Sequence, residues 1–489
     1  MSRPAGSLLL IGCLLFFFML GNHQLQGSTE ARVAGIAMAM HLDNDWVIPK
    51  LFGEPFLEKP PLSLWLDASA IRIIGASPLA VRLTSAFAAL LTMLLLFNFL
   101  RRYGRPTAIA WTAAVMLVTM SSYWNNARMV GEDSLLTLGV TLALLSYFLA
   151  RQQQTTQQPS ASSWGLFVLG IAIATLTKGV LGLAMPGVVI FAYLLSESLI
   201  DRRFYFGNWW RPGLLTLVGL IPLTVWLSLL YQRAGLEAVG EVLWANSVGR
   251  FSGSFTDAGH YEPFYYYLLK LPQAFLPWNI LVYLGVWHFR KSLVQNRYRL
   301  FFSVWLLAQF TLLTLASSKR TVYLMSLTPA AAVLAAEYGH VLFDRLRERS
   351  LDSAFAGTLY QRRRSLTAGV LGSVILAYLA AALWLFPHLD RHLSFLPLMT
   401  QIQSLRADGQ HVVLYQPNER VAGASVFYTQ SQLLILQTPA ELTHYLGANP
   451  GNVAIMEGAE PPSAPLTVQR IMKVGRCPYY FVGADAGQR

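Results

Sequence analysis

Long apolar runs alternate with short polar breaks along most of this chain. Residues 7–22, 79–100, 107–123, 134–150, 164–177, 179–196, 213–231, 265–287, 299–316, 321–342 and 366–386 each read as a helix. Most are long enough to cross a hydrocarbon core of roughly 30 Å at about 1.5 Å per residue. The pair 164–177 and 179–196 depends on Lys178 and Gly179, which split one apolar stretch into two short halves; a single kinked helix there would invert everything downstream. From residue 387 the pattern changes. His411–Tyr415, Leu433–Leu436, Val453–Met456 and Tyr479–Val482 are short β-rich runs separated by turn residues. Between the second and third, Thr438-Pro439-Ala440-Glu441 reads as an N-cap followed by proline at the first helical position. The predicted fold is therefore mainly α, a polytopic membrane protein of about eleven transmembrane helices over residues 1–386 with an external loop at 23–78. A small soluble α/β domain at 387–489 follows.

Composition agrees with the pattern. Of 489 residues, 54% are hydrophobic and 13% charged, and the mean hydropathy of +0.43 leaves too little polar surface for a soluble globule of this size. Arginine and lysine crowd the loops 101–105, 197–212, 288–299 and 343–365. Those four loops share a side only if the break at 178 is real, and positive loops stay cytoplasmic. The N-terminus is then inside and the C-terminus outside. The formal net charge of +12 lies largely in those loops, so topology and anionic headgroups account for it and nucleic-acid binding is excluded. The first run could serve as a cleaved leader, with Arg3 as a thin basic region; the outward segment after it favours a retained anchor. Cys13 and Cys477 are too few and too far apart for a thiol metal cluster.

Candidate chemistry gathers on the outward loops. After Gly27, Ser28-Thr29-Glu30-Ala31-Arg32 opens an Ala- and Met-rich run, Val33–Met40, which predicts an interfacial helix capped by Ser28 or Thr29, with Glu30 either favouring the positive helix end or acting in a site. Glu58-Lys59-Pro60-Pro61 either solvates a helix mouth or holds a cation where a lipid phosphate would sit. Asp133 is an ordinary helix start, or the adjacent carboxylates Glu132 and Asp133, near Arg128, are a candidate acid/base site, with Asp133 the residue singled out. Thr177-Lys178-Gly179 and Ser318-Lys319-Arg320 place cations outside, against the usual bias, which an anionic ligand would repay. His260, in His260-Tyr261-Glu262-Pro263-Phe264, reads as an aromatic-belt residue, a general base or a metal ligand. There is no nucleotide fingerprint.

Taken in order, Glu30-Ala31-Arg32, Asp45-Trp46, Glu58-Lys59-Pro60-Pro61, Arg128 with Asp133, Thr177-Lys178-Gly179-Val180-Leu181-Gly182, His260-Tyr261-Glu262-Pro263-Phe264, Leu276-Pro277-Trp278 and Ser318-Lys319-Arg320-Thr321-Val322-Tyr323-Leu324 form a series. Over roughly residues 23–330 the chain resembles the polyprenyl-phosphate-sugar glycosyltransferases of GT-C fold, glycosyltransferase family 39, which include lipid A aminoarabinose transferases and protein O-mannosyltransferases. The resemblance implies inverting transfer of a sugar from an undecaprenyl-type phosphate carrier to a membrane lipid or protein acceptor at the periplasmic face of a bacterial inner membrane. It implies Asp133, Glu30 and Glu58 as catalytic carboxylates, and Lys59, Arg32, Arg128, Lys178, Lys319 and Arg320 as contacts to substrate and lipid phosphate. Glu58 and His260 match positions that can hold a divalent metal ion, and no nucleotide cofactor is implied. One departure stands out: the family usually has Asp immediately before Glu30, where this chain has Thr29. A hydroxyl caps a helix but is no carboxylate base, so Glu30 takes over by a one-residue shift, Asp133 suffices, or the acceptor is already ionised. The rival functions are a carrier-lipid transporter, which would place charge at the bilayer midplane, and a noncatalytic relative that binds carrier lipid.

Overall fold

The computed structural model describes residues 3–254, 260–350, 354–449, 451–458 and 466–484. Residues 255–259 of the loop expected at 232–264, and 351–353 of the basic segment at 343–365, lie outside the described residues. The fold is mainly helical, with a two-stranded hairpin early and a five-stranded sheet near the end. Among the described residues six helices are long and apolar enough to cross a membrane: Pro78–Arg102, Asp133–Thr155, Ala161–Asp201, Phe206–Ser252, Arg297–Leu315 and Ser365–Leu393. Pro4–Phe17 and Thr107–Val118 are shorter apolar helices. Only 22% of the apolar window in Phe206–Ser252 and 6% of that in Ser365–Leu393 is buried, so these helices need hydrocarbon as their solvent.

The chain forms two compact units. One takes in the residues up to Phe18, Glu58–Leu62 and Ser85–Leu379; the other takes in Met19–Leu57, Ser63–Thr84 and Ala380–Arg489.

In the first unit the break predicted at Lys178 and Gly179 is a reversal of the chain. Ala161–Asp201 loses helical geometry at Lys178 (φ −138°, ψ 25°) and Gly179 (φ 51°, ψ −124°). In a straight helix residues eight apart are separated by roughly 12 Å along the axis, yet a Cβ on Gly182 would collide with the carbonyl oxygen of Ala174. The two halves therefore fold back on each other as a hairpin, and the left-handed backbone at Gly179 is why glycine stands there. The first half packs on Asp133–Thr155 through Gly139 and Gly170; a Cβ on Gly139 would lie 2.7 Å from the Ala174 nitrogen. Small residues let these two backbones meet as apolar helices do in lipid.

In the second unit the helix expected at Val33–Met40 runs from Gly27 to Asp43, and its setting differs from the prediction. Gln26, without a side-chain cap bond, stands at the N-cap in place of Ser28 or Thr29, and every residue from Glu30 to Met40 is buried. It is a core helix. Its partner is Glu419–Thr429, and at the crossing a Cβ on Gly35 would strike the Gly423 backbone, while one on Gly423 would strike the Ala31 carbonyl. The Ala- and Gly-rich face that reads as a weak interfacial helix is thus a flat seat for another helix. Because backbone atoms there cannot swing aside, Gly423→Ala is expected to cost about 1–3 kcal/mol, toward the upper end of the overpacking range, and to make the C-terminal residues protease-sensitive below the wild-type Tm; limited proteolysis across a temperature series checks this. A second helix of the same loop, Leu62–Ile74, buries Leu64, Ala68 and Ile71 on one stripe and leaves Leu66, Ile73 and Ile74 exposed, as an interfacial helix would.

Strands β1 (Lys50–Leu51) and β2 (Glu54–Pro55) form the hairpin. The C-terminal sheet joins β3 (Val412–Tyr415), β4 (Ile435–Leu436), β5 (Val453–Glu457), β6 (Leu466–Val474) and β7 (Cys477–Ala484) in the order β4-β3-β5-β7-β6, parallel at β4-β3-β5 and antiparallel beyond. Four of these match the predicted runs. β6 does not, because as an edge strand it is largely exposed, offers Gln469, Arg470 and Lys473 to solvent and is interrupted by a bulge after Val468, which erases the apolar alternation. The predicted cap is a full capping box: Thr438 Oγ1 accepts from the Glu441 N–H at 3.2 Å and the Glu441 carboxylate accepts from the Thr438 N–H at 3.3 Å.

Candidate active site

Four stretches far apart in sequence meet in the first unit: Glu58-Lys59-Pro60, the start of helix Asp133–Thr155, the turn at Lys178-Gly179, and residues 247–250. Arg250 donates to Glu58 Oε1 at 2.5 Å; Lys59 Nζ lies 3.7 Å from Glu58 and 3.0 Å from Glu132 Oε1; Lys178 Nζ donates to Asp133 Oδ1 at 2.5 Å. Charges alternate along this chain, three cations against three carboxylates. A Cβ built on Gly179 would rest 3.5 Å from Pro60 and 4.0 Å from Ser247 Oγ, so the reversal of the chain brings these pairs together. The Lys178 ammonium also lies 4.3 Å from the centre of the Tyr323 ring, a cation–π contact worth roughly 2 kcal/mol when desolvated. With side-chain exposures of 4% and 11%, Lys178 and Asp133 form a pair whose separation would leave a buried charge uncompensated.

Lys319 and Arg320 follow close by on the segment that carries Tyr323. Lys319 is 4% exposed, and its ammonium donates to main-chain oxygens of Glu262 (3.1 Å) and Ala316. Tyr261 and Ser318 form a β-bridge, the Lys319 N–H donates to the His260 carbonyl at 2.9 Å, and the Tyr267 hydroxyl bonds both the carbonyl and the N–H of Arg320. Both cations are thus held on a braced turn. Burial pushes the Lys319 ammonium below its usual pKa, opposed by the nearby Glu262 carboxylate. Its folded pKa lies below its unfolded one, so charge on this lysine is lost early as pH rises. If Lys319 serves an anionic substrate, the alkaline limb of the pH–rate profile will follow its deprotonation, and Lys319→Arg, always charged, is expected to move that limb to higher pH. An unmoved limb would assign it to another group.

The remaining predicted residues sit elsewhere. Arg128 is 2% exposed and donates to the carbonyls of Leu15 and Phe16 at 3.0 and 3.2 Å, closing the end of helix Arg3–Phe17 as a cation should. Glu30 and Arg32 belong to the second unit. Both Glu30 oxygens accept from Arg82, at 2.9 and 2.8 Å, and the Gln26 N–H donates to one of them at 3.1 Å. Arg32 donates to Glu419 at 2.8 Å. His260 is exposed. As to a metal, among the described residues no group of three or more His, Cys, Asp or Glu side chains could hold one. Glu58 faces the cations Arg250 and Lys59, which already supply the charge an ion would bring.

Arg250 escapes sequence reasoning altogether. Glu132 stands there as half of the carboxylate pair with Asp133, and Tyr323 stands there only within the series Ser318–Leu324, with no role of its own. Near them a cavity of about 370 Å³ opens between Ser122, Asn126, Lys270 and Thr321, with Trp124 and Tyr378 stacked at 4.2 Å along its wall.

This helical architecture is the GT-C fold. The chain superposes on the crystal structure of ArnT from Cupriavidus metallidurans bound to undecaprenyl phosphate, with a TM-score of 0.75 at 20% identity over 98% of each chain. It also superposes on the archaeal oligosaccharyltransferase AglB of Archaeoglobus fulgidus, with a TM-score of 0.59 at 12% identity over 93% of this chain and 69% of that one. Residues 27–234 match the family described as dolichyl-phosphate-mannose-protein mannosyltransferase. Among relatives, the undecaprenyl phosphate-alpha-4-amino-4-deoxy-L-arabinose arabinosyl transferase of Pseudomonas paraeruginosa is 29% identical over 350 residues, 71% of this chain and 61% of the relative. A Proteus mirabilis enzyme of the same description is 26% identical over 330 residues, 67% of this chain and 57% of the relative. The chain thus spans about three fifths of the length of these relatives.

Proposed function

We propose that this protein transfers a sugar, with inversion, from a polyprenyl phosphate carrier to an acceptor at the periplasmic face of the inner membrane. The acceptor oxygen attacks the anomeric carbon; the bond from that carbon to the phosphate oxygen breaks, and its electron pair leaves with the phosphate. The observation that carries this reading is the alternating row Arg250, Glu58, Lys59, Glu132, Lys178, Asp133 at a break between apolar helices. Such a row is costly beside a membrane unless an anion uses it, and a departing phosphate gathers charge that Lys59 and Lys178 are placed to stabilise. Lys319 and Arg320 add further positive charge on the adjoining turn. Asp133 is the carboxylate on which we place acid/base work. Glu30, tied on both oxygens to Arg82, is read as structural, so the Thr29 departure removes a base that it does not replace. An acceptor that arrives ionised, such as a lipid A phosphate, suits that arrangement better than an alcohol. The cavity beside Lys270 offers room and a cation for it.

We further read eleven crossings with the N-terminus cytoplasmic and the site outside; the reversal at Lys178 supports this because it returns the basic loops to one face. Undecaprenyl phosphate-linked 4-amino-4-deoxy-L-arabinose is the donor to try first, with lipid A as acceptor. In proteoliposomes, product mass on lipid A is expected to rise by one sugar and to vanish in Asp133→Asn. A protein that binds the donor but gives no product with lipid A, other envelope glycolipids or envelope protein would be a noncatalytic carrier-binding relative.

A further inference from the structure

At the other end of the first unit lies a cavity of about 580 Å³. Helix Arg297–Leu315 links the two regions: Arg299 lines the cavity near its start, and Lys319 follows its end. At 1.5 Å per residue those 19 residues span roughly 28 Å, so the cavity and the candidate active site lie at opposite ends of a membrane-length helix. Four cations line the cavity, Arg290, Lys291, Arg299 and Arg345, and no carboxylate does. Among the described residues none of the four is held in an ion pair. Their polar contacts are neutral: Arg290 donates to the Trp287 carbonyl at 2.5 Å, Arg299 to Ser292 Oγ at 3.1 Å, and Arg345 meets His288 Nδ1 at 3.4 Å. Since a guanidinium only donates, that last contact requires His288 to accept and so to be neutral at Nδ1. Burial and the nearby Arg345 and Arg299 charges hold the His288 pKa below its usual value.

Positive-inside bias explains basic residues in a loop, but not their convergence on one cavity without a counter-charge. Opposed like charges cost energy that an anion repays. The wall adds a second requirement. Leu284 is 42% and Trp287 65% exposed, and the Arg290 guanidinium lies over the Trp287 ring at 3.4 Å. Apolar surface open to the surroundings beside unneutralised cations matches a molecule with a phosphate head and hydrocarbon tails.

We propose that this cavity is a binding site for the headgroup of an anionic phospholipid, seated in the leaflet opposite the sugar-transfer site, with the four cations on the phosphate and Leu284 and Trp287 against the first acyl carbons. Phosphate recognition by clustered arginines between apolar helix ends is a known physical solution for such lipids. The site is independent of the transferase reading: it needs no donor and touches none of the residues assigned to chemistry.

Native mass spectrometry of the full chain in neutral detergent, titrated with phosphatidylglycerol, phosphatidylethanolamine or inorganic phosphate, tests it. Wild type is expected to retain phosphatidylglycerol at least tenfold better than phosphatidylethanolamine, and Arg299→Gln/Arg345→Gln to lose most of that preference. Arg345→Lys is expected to keep it. Equal retention of the two lipids by wild type, or an undiminished preference in the double variant, overturns the proposal. Displacement of phosphatidylglycerol by millimolar inorganic phosphate alone assigns the cavity to a small anion and overturns the lipid reading. Should the double variant fail to fold, Arg299→Gln by itself, read by the same lipid ratio and matched to wild type in Tm, carries the decision.

Discussion

Lys59→Met is expected to lower kcat for sugar transfer about 10²–10³-fold, the cost of removing one preorganised donor from a developing anion, while the protein inserts and folds normally. The fold should survive because the partners of Lys59 keep other company. Glu58 retains Arg250 at 2.5 Å, and Glu132 stays within electrostatic reach of Lys178, so neither carboxylate is orphaned. Lys59 is also the more accessible of the two lysines, with a side-chain exposure of 16% against 4% for Lys178, which suits a group that must meet a ligand. The measurement is a steady-state kinetic comparison in proteoliposomes with Tm as control. A fall in kcat with KM nearly unchanged places the ammonium on the transition state; a rise in KM alone restricts it to holding the carrier phosphate. Wild-type kinetics would remove Lys59 from the site.

Glu30→Gln is expected to act through stability. Arg82 has no exposed side-chain surface and Glu30 3%. An amide in place of the carboxylate turns one acceptor into a donor facing a guanidinium and leaves that charge buried without compensation, a loss of about 3–5 kcal/mol. For a unit of this size that corresponds to a Tm lower by roughly 10 °C. Adding Arg82→Met should recover part of the loss, since it removes the unpaired charge but leaves the carbonyls of Leu20, His23 and Gln24 without their donor. The double-mutant cycle, read by thermal unfolding of the purified protein, separates this from a catalytic role. Were Glu30 the base that replaces the missing Asp at Thr29, Glu30→Gln would abolish transfer at an unchanged Tm, and Arg82→Met would restore nothing.

Much of the architecture was legible along the chain because its causes are local. Apolar length marks the long membrane-crossing helices, Lys178-Gly179 marks the reversal, and Thr438 with Glu441 marks a helix start, each through forces that act within a few residues. The candidate site was legible in part. Glu58, Lys59, Asp133 and Lys178 stood out as charges beside apolar runs, but the sequence treats the lysines as free cations waiting for phosphate, whereas each already has a carboxylate. Arg128 stood out equally and closes a helix end. The interfacial helix failed for a related reason. An Ala- and Gly-rich segment reads as weakly amphipathic until a second helix, some 390 residues away, is seen to lie on it.

By itself the sequence determined what solvent this protein needs and which side groups are too costly to be incidental, because transfer free energy belongs to each residue and its neighbours. Only the tertiary structure decided which charges answer one another: Lys59 with Glu132 across 73 positions, Lys178 with Asp133 across 45, Glu58 with Arg250 across 192. Coulomb energy depends on separation in space and on the surrounding dielectric, and neither quantity is written in the order of the residues.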